Sequence, residues 1–119
     1  MKKILIVEDN LQVSKLYQRK FAEEGYEIVL AQNGQDGLIA AAKEEPSLVI
    51  LDVVLPGKLN GFDVLEGLKK NENTKNIPVI MVTNLETEEK TAREIGVADY
   101  LVKVDTPLEE VIQRVKELC

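Results

Sequence analysis

"LVILDVVLPG", residues 48–57, sets one acid into an otherwise apolar run. Leu48, Val49, Ile50 and Leu51 read as a strand buried on both faces, the mark of a parallel sheet covered by helices. Asp52 follows at once, and Val53, Val54 and Leu55 resume the apolar character. Desolvating a lone carboxylate is costly, so in such surroundings it is paired, protonated or bound to a metal.

The same kind of run recurs along the chain. "ILIV" (4–7), "EIVL" (27–30), "PVIMV" (78–82) and "DYLV" (99–102) are further strand candidates. Helical periodicity fills the intervals. Residues 11–24 present Val13, Leu16, Tyr17 and Phe21 on one face and meet a stop at Gly25. Residues 33–44 halt before Pro46, and a third helix starts at Asn60 with Asp63 three residues on. A fourth is expected near Thr87 to Ile95. The last opens on "TPLE", read as Thr106 for the N-cap, Pro107 in the first turn and Glu109 completing a capping box.

Five strands alternating with five helices predict an α/β fold with a parallel sheet covered on both faces. The most apolar strands, the first, third and fourth, belong at the centre, and the second and fifth at the edges. The expected order is 2-1-3-4-5, a doubly wound, flavodoxin-like arrangement. No repeat, linker or low-complexity segment interrupts it, so residues 1–119 are expected to form one domain.

Composition narrows the chemistry. A 119-residue chain with 45% apolar and 30% charged residues can bury a core. A net charge of −6 speaks against a nucleic-acid surface, which needs a basic patch. The apolar run at the N-terminus is too short for a signal peptide or membrane span. The only cysteine is Cys119, so no intrachain disulfide can form, in keeping with a reducing cytoplasm. Histidine is absent, which removes the commonest general base and directs any metal site to oxygen ligands, hence Mg²⁺ or Ca²⁺.

Ligands of such sheets bind beyond the carboxyl ends of the strands, where strand order reverses. That point lies between the first strand, ending in Glu8 and Asp9, and the third, ending in Asp52. Three carboxylates are expected to converge there. At about 5 Å and an effective dielectric near 20, each like-charge pair costs roughly 3 kcal/mol, which a divalent cation relieves. Plainer roles exist for each residue alone: Asp9 or Asn10 as a helix cap, Asp52 satisfied by backbone amides. Thr83 and Lys103 end the fourth and fifth strands on the same edge and suit the oxygens of a phosphoryl group. The combination points to phosphoryl transfer onto Asp52.

With these residues in place, the sequence closely resembles the receiver domains of bacterial two-component response regulators. The resemblance covers essentially the whole chain and rests on "ILIVEDN", "LVILDVVLPG…NGFDVL", "PVIMVTN" and "DYLVK". It implies that Asp52 is the phosphoacceptor, served by the phosphohistidine of a sensor histidine kinase or histidine phosphotransfer protein. It implies Mg²⁺ bound directly by Asp9 and Asp52, through water by Glu8, and by the backbone carbonyl of Val54. Thr83 and Lys103 would contact the phosphoryl oxygens, and Tyr100 would be the aromatic switch residue. Such a domain is a signalling phosphoacceptor with at most weak autophosphatase activity rather than an enzyme. Its output would leave through the fourth helix, fifth strand and fifth helix, toward an effector or a second copy.

Three departures from the family pattern stand out. "LPGKLNG" carries one extra residue between Pro56 and Gly61, Asn84 follows the threonine where a small residue is usual, and "KVDTP" replaces Lys-Pro. With Val104 after Lys103, a cis bond would cost about 3–4 kcal/mol, so a trans Lys103–Val104 bond is expected. Rival readings lack their key residues. A haloacid-dehalogenase-type phosphatase needs an acid where Val54 stands, and a dinucleotide-binding turn needs glycines absent from "VEDNLQV" (7–13).

Overall fold

The computed structural model describes residues 1–119. In chain order the elements are β1 (Lys3–Val7), α1 (Leu11–Glu23), β2 (Glu27–Ala31), α2 (Gly34–Glu44), β3 (Leu48–Leu51), α3 (Gly61–Lys70), β4 (Val79–Thr83), α4 (Glu89–Ile95), β5 (Asp99–Val102) and α5 (Leu108–Leu118). The five strands pair in parallel in the order β2-β1-β3-β4-β5, as the sequence predicts.

Alternation along the strands builds two apolar layers. Leu5, Val7, Val49, Leu51 and Met81 face α2, α3 and α4, meeting Val64, Leu65, Leu68 and Ala92. Ile4, Ile6, Ile50, Ile80, Val82 and Leu101 face α1 and α5, meeting Tyr17, Phe21, Val111 and Val115. Each fully buried side chain of this size contributes about 1.5–3 kcal/mol. The central strands β3 and β4 are buried along their whole length, which is why they read as unbroken apolar runs.

Local signals fix the helix starts. The Asn10 side chain accepts hydrogen bonds from the Gln12 and Val13 amides, capping α1 at 3.0 and 3.2 Å. Asn60 and Asp63 form a reciprocal capping box on α3, with bonds of 3.0 and 2.9 Å.

The start of α5 differs from expectation. Lys103–Asp105 forms a 3-10 turn, Thr106 is extended with its amide bonded to the Lys103 carbonyl, and Pro107 is the N-cap residue. No side chain caps this helix. The turn consumes the geometry that Thr106 would need, and Glu109 falls one position too early for a capping box. The fourth helix is also shorter than expected, seven residues from Glu89. Within it Arg93 pairs with Glu89 at 3.0 Å and also reaches Asp99 at 3.1 Å. All peptide bonds are trans, Lys103–Val104 included.

Candidate functional site

The chain leaves β1 toward β2 on one side and leaves β3 toward β4 on the other, so a crevice opens between the carboxyl ends of β1 and β3. Register sets what stands there. Val7 pairs with Leu51, and the Asp52 amide donates to the Val7 carbonyl at 3.2 Å. Glu8 and Asp52, the next residues on each strand, are thereby neighbours, and both are buried.

Lys103 joins them. Its Nζ lies 2.9 Å from Asp52 Oδ2 and is also hydrogen-bonded to Glu8 Oε1. The remaining oxygens take amides: Glu8 Oε2 accepts from Asn10 at 3.1 Å, and Asp52 Oδ1 accepts from Val54 at 3.3 Å. Every carboxylate oxygen of this pair is thus satisfied, as burial demands. Burial pushes the Glu8 carboxyl above its ordinary value, against the opposing pull of the Lys103 hydrogen bond. Burial works against the Lys103 ammonium too, but its bonds to Asp52 and Glu8 prevail, and its pKa lies above the ordinary lysine value.

The expected convergence of three carboxylates is not found. Asp9 is exposed, and no set of three acids draws together as a ready-made metal site. Glu8 is buried at the crevice, while Asp9, one residue further on and in a bend, is exposed. The Lys103 cation, rather than a third acid, fills the position between Glu8 and Asp52. The ligand atoms at the site are carboxylate oxygens, with no histidine or thiol among them, which suits a hard cation.

Thr83 and Lys103 do lie on the same edge, because Thr83 pairs with Val102 in the β4–β5 register. Thr83 is buried, and its hydroxyl accepts from the Leu85 amide at 3.4 Å. Lys103 is the first residue of the 3-10 turn rather than the end of β5. Tyr100 points inward, buried, and its hydroxyl donates to the Leu85 carbonyl at 2.5 Å.

Two residues were not legible as part of the site. A Cβ on Gly61 would lie 2.2 Å from the Asp52 carbonyl oxygen, so only glycine lets α3 begin against the loop that carries Asp52. Nothing in the sequence separates this glycine from an ordinary turn residue. Tyr17, read as one member of an apolar stripe, lines the base of the crevice with Glu8, Asp52 and Lys103. Its hydroxyl, alone in that stripe, was the available signal. Around the mouth, Leu11, Val54, Leu85 and Val104 are exposed apolar side chains, each just beyond the carboxyl end of a strand; Val54 and Val104 are 60% and 72% exposed.

Residues 4–116 match the response regulator receiver domain family, and the chain belongs to it. Domains of this family are phosphoacceptors of two-component signal transduction, in general on an aspartate. The chain is 40% identical to the ycf27 protein of Porphyra purpurea over 90% of its own length and 43% of that protein's. It is 38% identical to PilH of Pseudomonas aeruginosa, covering 87% of this chain and 86% of PilH. It therefore spans less than half of the first of these relatives and most of the second. Among solved structures, the response regulator TrrA of Thermotoga maritima, in complex with Mg²⁺-BeF, superposes with a TM-score of 0.89. It has 31% identity and full coverage of both chains. No helix is long and apolar enough to cross a membrane.

Proposed function

We propose that Asp52 accepts a phosphoryl group from the phosphohistidine of a sensor histidine kinase or histidine phosphotransfer protein. The observation that carries this reading is a buried strand-end carboxylate held 2.9 Å from a lysine ammonium at the switch point of the sheet. In the transfer, an Asp52 carboxylate oxygen forms the new P–O bond as the P–N bond to the donor imidazole breaks. The donor nitrogen keeps the electron pair and takes up a proton. Histidine must come from the partner, since the chain has none.

Lys103 is the residue that changes partners. In the resting site it neutralises Glu8 and Asp52; once Asp52 is esterified, its ammonium is free to follow the charge to a phosphoryl oxygen. The Thr83 hydroxyl, which accepts from the Leu85 amide, has its own proton to donate to another phosphoryl oxygen. Asp9, Asp52 and the Val54 carbonyl would hold Mg²⁺ directly, with Glu8 behind water, since its carboxylate oxygens have acceptor capacity beyond the bonds to Lys103 and the Asn10 amide. Bound there, Mg²⁺ supplies positive charge that offsets the phosphoryl oxygens and the acids around them. The Mg²⁺-BeF complex of TrrA supports Mg²⁺ as the ion.

The exposed apolar rim of Leu11, Val54, Leu85 and Val104 gives a donor protein a surface to dock on. Residues 1–119 act as one receiver unit in the cytoplasm, with output through α4, β5 and α5 to an effector or a second copy. The test is intact mass after incubation with acetyl phosphate and Mg²⁺. One phosphoryl group is expected on the native chain and none on Asp52→Asn. Equal labelling of the variant would move the phosphoacceptor elsewhere.

A further inference from the structure

α2 packs on α3 along one side and on β1 and β2 beneath it. β2 is an edge strand, so the other side of α2 opens on solvent. There α2 and β2 enclose an open groove of about 460 Å³, lined in part by Val29, Ala31, Asp36, Ile39, Ala40 and Lys43. Val29 and Ala31 belong to the apolar layer under α2, and Ile39 stands 57% exposed on the groove wall.

The four α2 residues of this lining stand at i, i+3, i+4 and i+7, a single stripe on the helix surface. That stripe is its own complement when run backwards. An antiparallel second α2 centred between Ile39 and Ala40 sets each Asp36 opposite the other copy's Lys43, about one two-fold axis. Each Ile39 then meets the small Ala40 of the other copy, which leaves room for it above Val29 and Ala31. The charged groups are free to pair. Asp36 and Lys43 are in none of the chain's ion pairs, and two helical turns, about 10 Å, separate them within one copy. Asp36 spends one carboxylate oxygen on the Asn33 side chain, at 3.0 Å, and keeps the other. The next positions outward bring no like charges together: Gln35 falls opposite Glu44, which Lys3 already holds at 3.0 Å.

We propose that the α2–β2 face docks a second copy of this chain as a two-fold, antiparallel α2 pair. Each Ile39 enters the other copy's groove, and each Asp36 pairs with the other's Lys43. The helix has 11 residues and is about 16 Å long, so the contact belongs to the weak class that buries less than about 1,200 Å². It forms where copies are concentrated. β2 and β5 are opposite edges of the sheet, so a copy docked here leaves the face of α4, β5 and α5 open. The contact does not depend on Asp52 accepting a phosphoryl group.

The test is a dilution series of the 119-residue chain from about 1 mM to about 20 µM, followed by sedimentation equilibrium and amide NMR. Salt near 0.15 M screens the repulsion between copies that each carry −6. The native chain should dimerise reversibly, with concentration-dependent shifts centred on residues 29–44. Ile39→Asp should weaken the dimer about a hundredfold, and Lys43→Glu and Asp36→Lys about tenfold each. All three side chains are exposed, so the variants should stay folded. Mixing Lys43→Glu with Asp36→Lys should restore the native affinity, because each mixed pair again joins opposite charges at both positions. If Asp36→Lys lowers the melting temperature, Ile39→Asp and Lys43→Glu decide the matter alone. A native chain monomeric up to 1 mM would overturn the proposal and leave the groove to another kind of partner. So would a dimer that Ile39→Asp leaves intact, which lies on another face, or a mixture of folded variants that binds no tighter than its components.

Discussion

Lys103 Nζ sits 2.9 Å from Asp52 Oδ2 across 51 residues of sequence, and its second bond to Glu8 ties three strands' ends into one charged cluster. Both acids are nearly buried, so the ammonium is what allows two carboxylates to stand side by side. Lys103→Ala should therefore leave an uncompensated pair and cost about 3 kcal/mol, the usual penalty for breaking a buried ion pair from one side. Urea denaturation measures it. Adding Asp52→Asn to that variant should recover part of the loss, because one of the stranded charges is then gone.

The same cluster sets a pH dependence. Lys103 holds its proton more tightly in the folded chain than in the unfolded one, since its bonds to Asp52 and Glu8 outweigh the opposing effect of burial. A raised folded pKa gives stability that is complete below the unfolded value, about 10.4, and is lost as pH climbs through the folded value. Comparing native chain with Lys103→Met from about pH 9 to 11.5 isolates this group. The stability gap should narrow at the alkaline end; a gap that widens there would contradict the sign.

Tyr100 is fastened to the β4–α4 connection through the Leu85 carbonyl, two residues past Thr83. Tyr100→Phe should cost about 1 kcal/mol by removing that bond. The short α4, with Ala92 its only buried residue, belongs to the least stable part of the chain. Adding beryllium fluoride and Mg²⁺ should change amide exchange most over residues 83–105, and Tyr100→Phe should spread that change further. A response limited to residues 10–45 would place the switch elsewhere.

Gly61 gives a purely steric prediction. A methyl group at this position meets the Asp52 carbonyl oxygen at 2.2 Å and Val53 Cα at 2.6 Å, both backbone atoms that cannot rotate away. Gly61→Ala should destabilise by about 1–3 kcal/mol or more, the range for overpacked sites, and displace the Asp52 loop. Melting temperature reads the first effect and acetyl phosphate labelling the second.

Strand order and the place of the site were written in the sequence because they depend on local signals. Unbroken apolar runs at residues 4–7, 48–51 and 78–82 demand central strands, and the acids directly after two of them mark the ends that face the crevice. Asn60 and Asp63 announced their capping box for the same reason, since both partners lie within one helical turn. What sequence could not decide were competitions between groups far apart in the chain. Glu8, Asp9 and Asp52 do not draw together as three acids: Asp9 is exposed in the bend after β1, and the Lys103 ammonium, from far along the chain, bonds to the other two. The "TPLE" box failed because the 3-10 turn after β5 used the same backbone first. Gly61 gained its importance only from what packs beside it, the Asp52 carbonyl. Periodicity determines which face of an element is buried; only the packed fold determines which atoms meet there, because that depends on distances across the sheet.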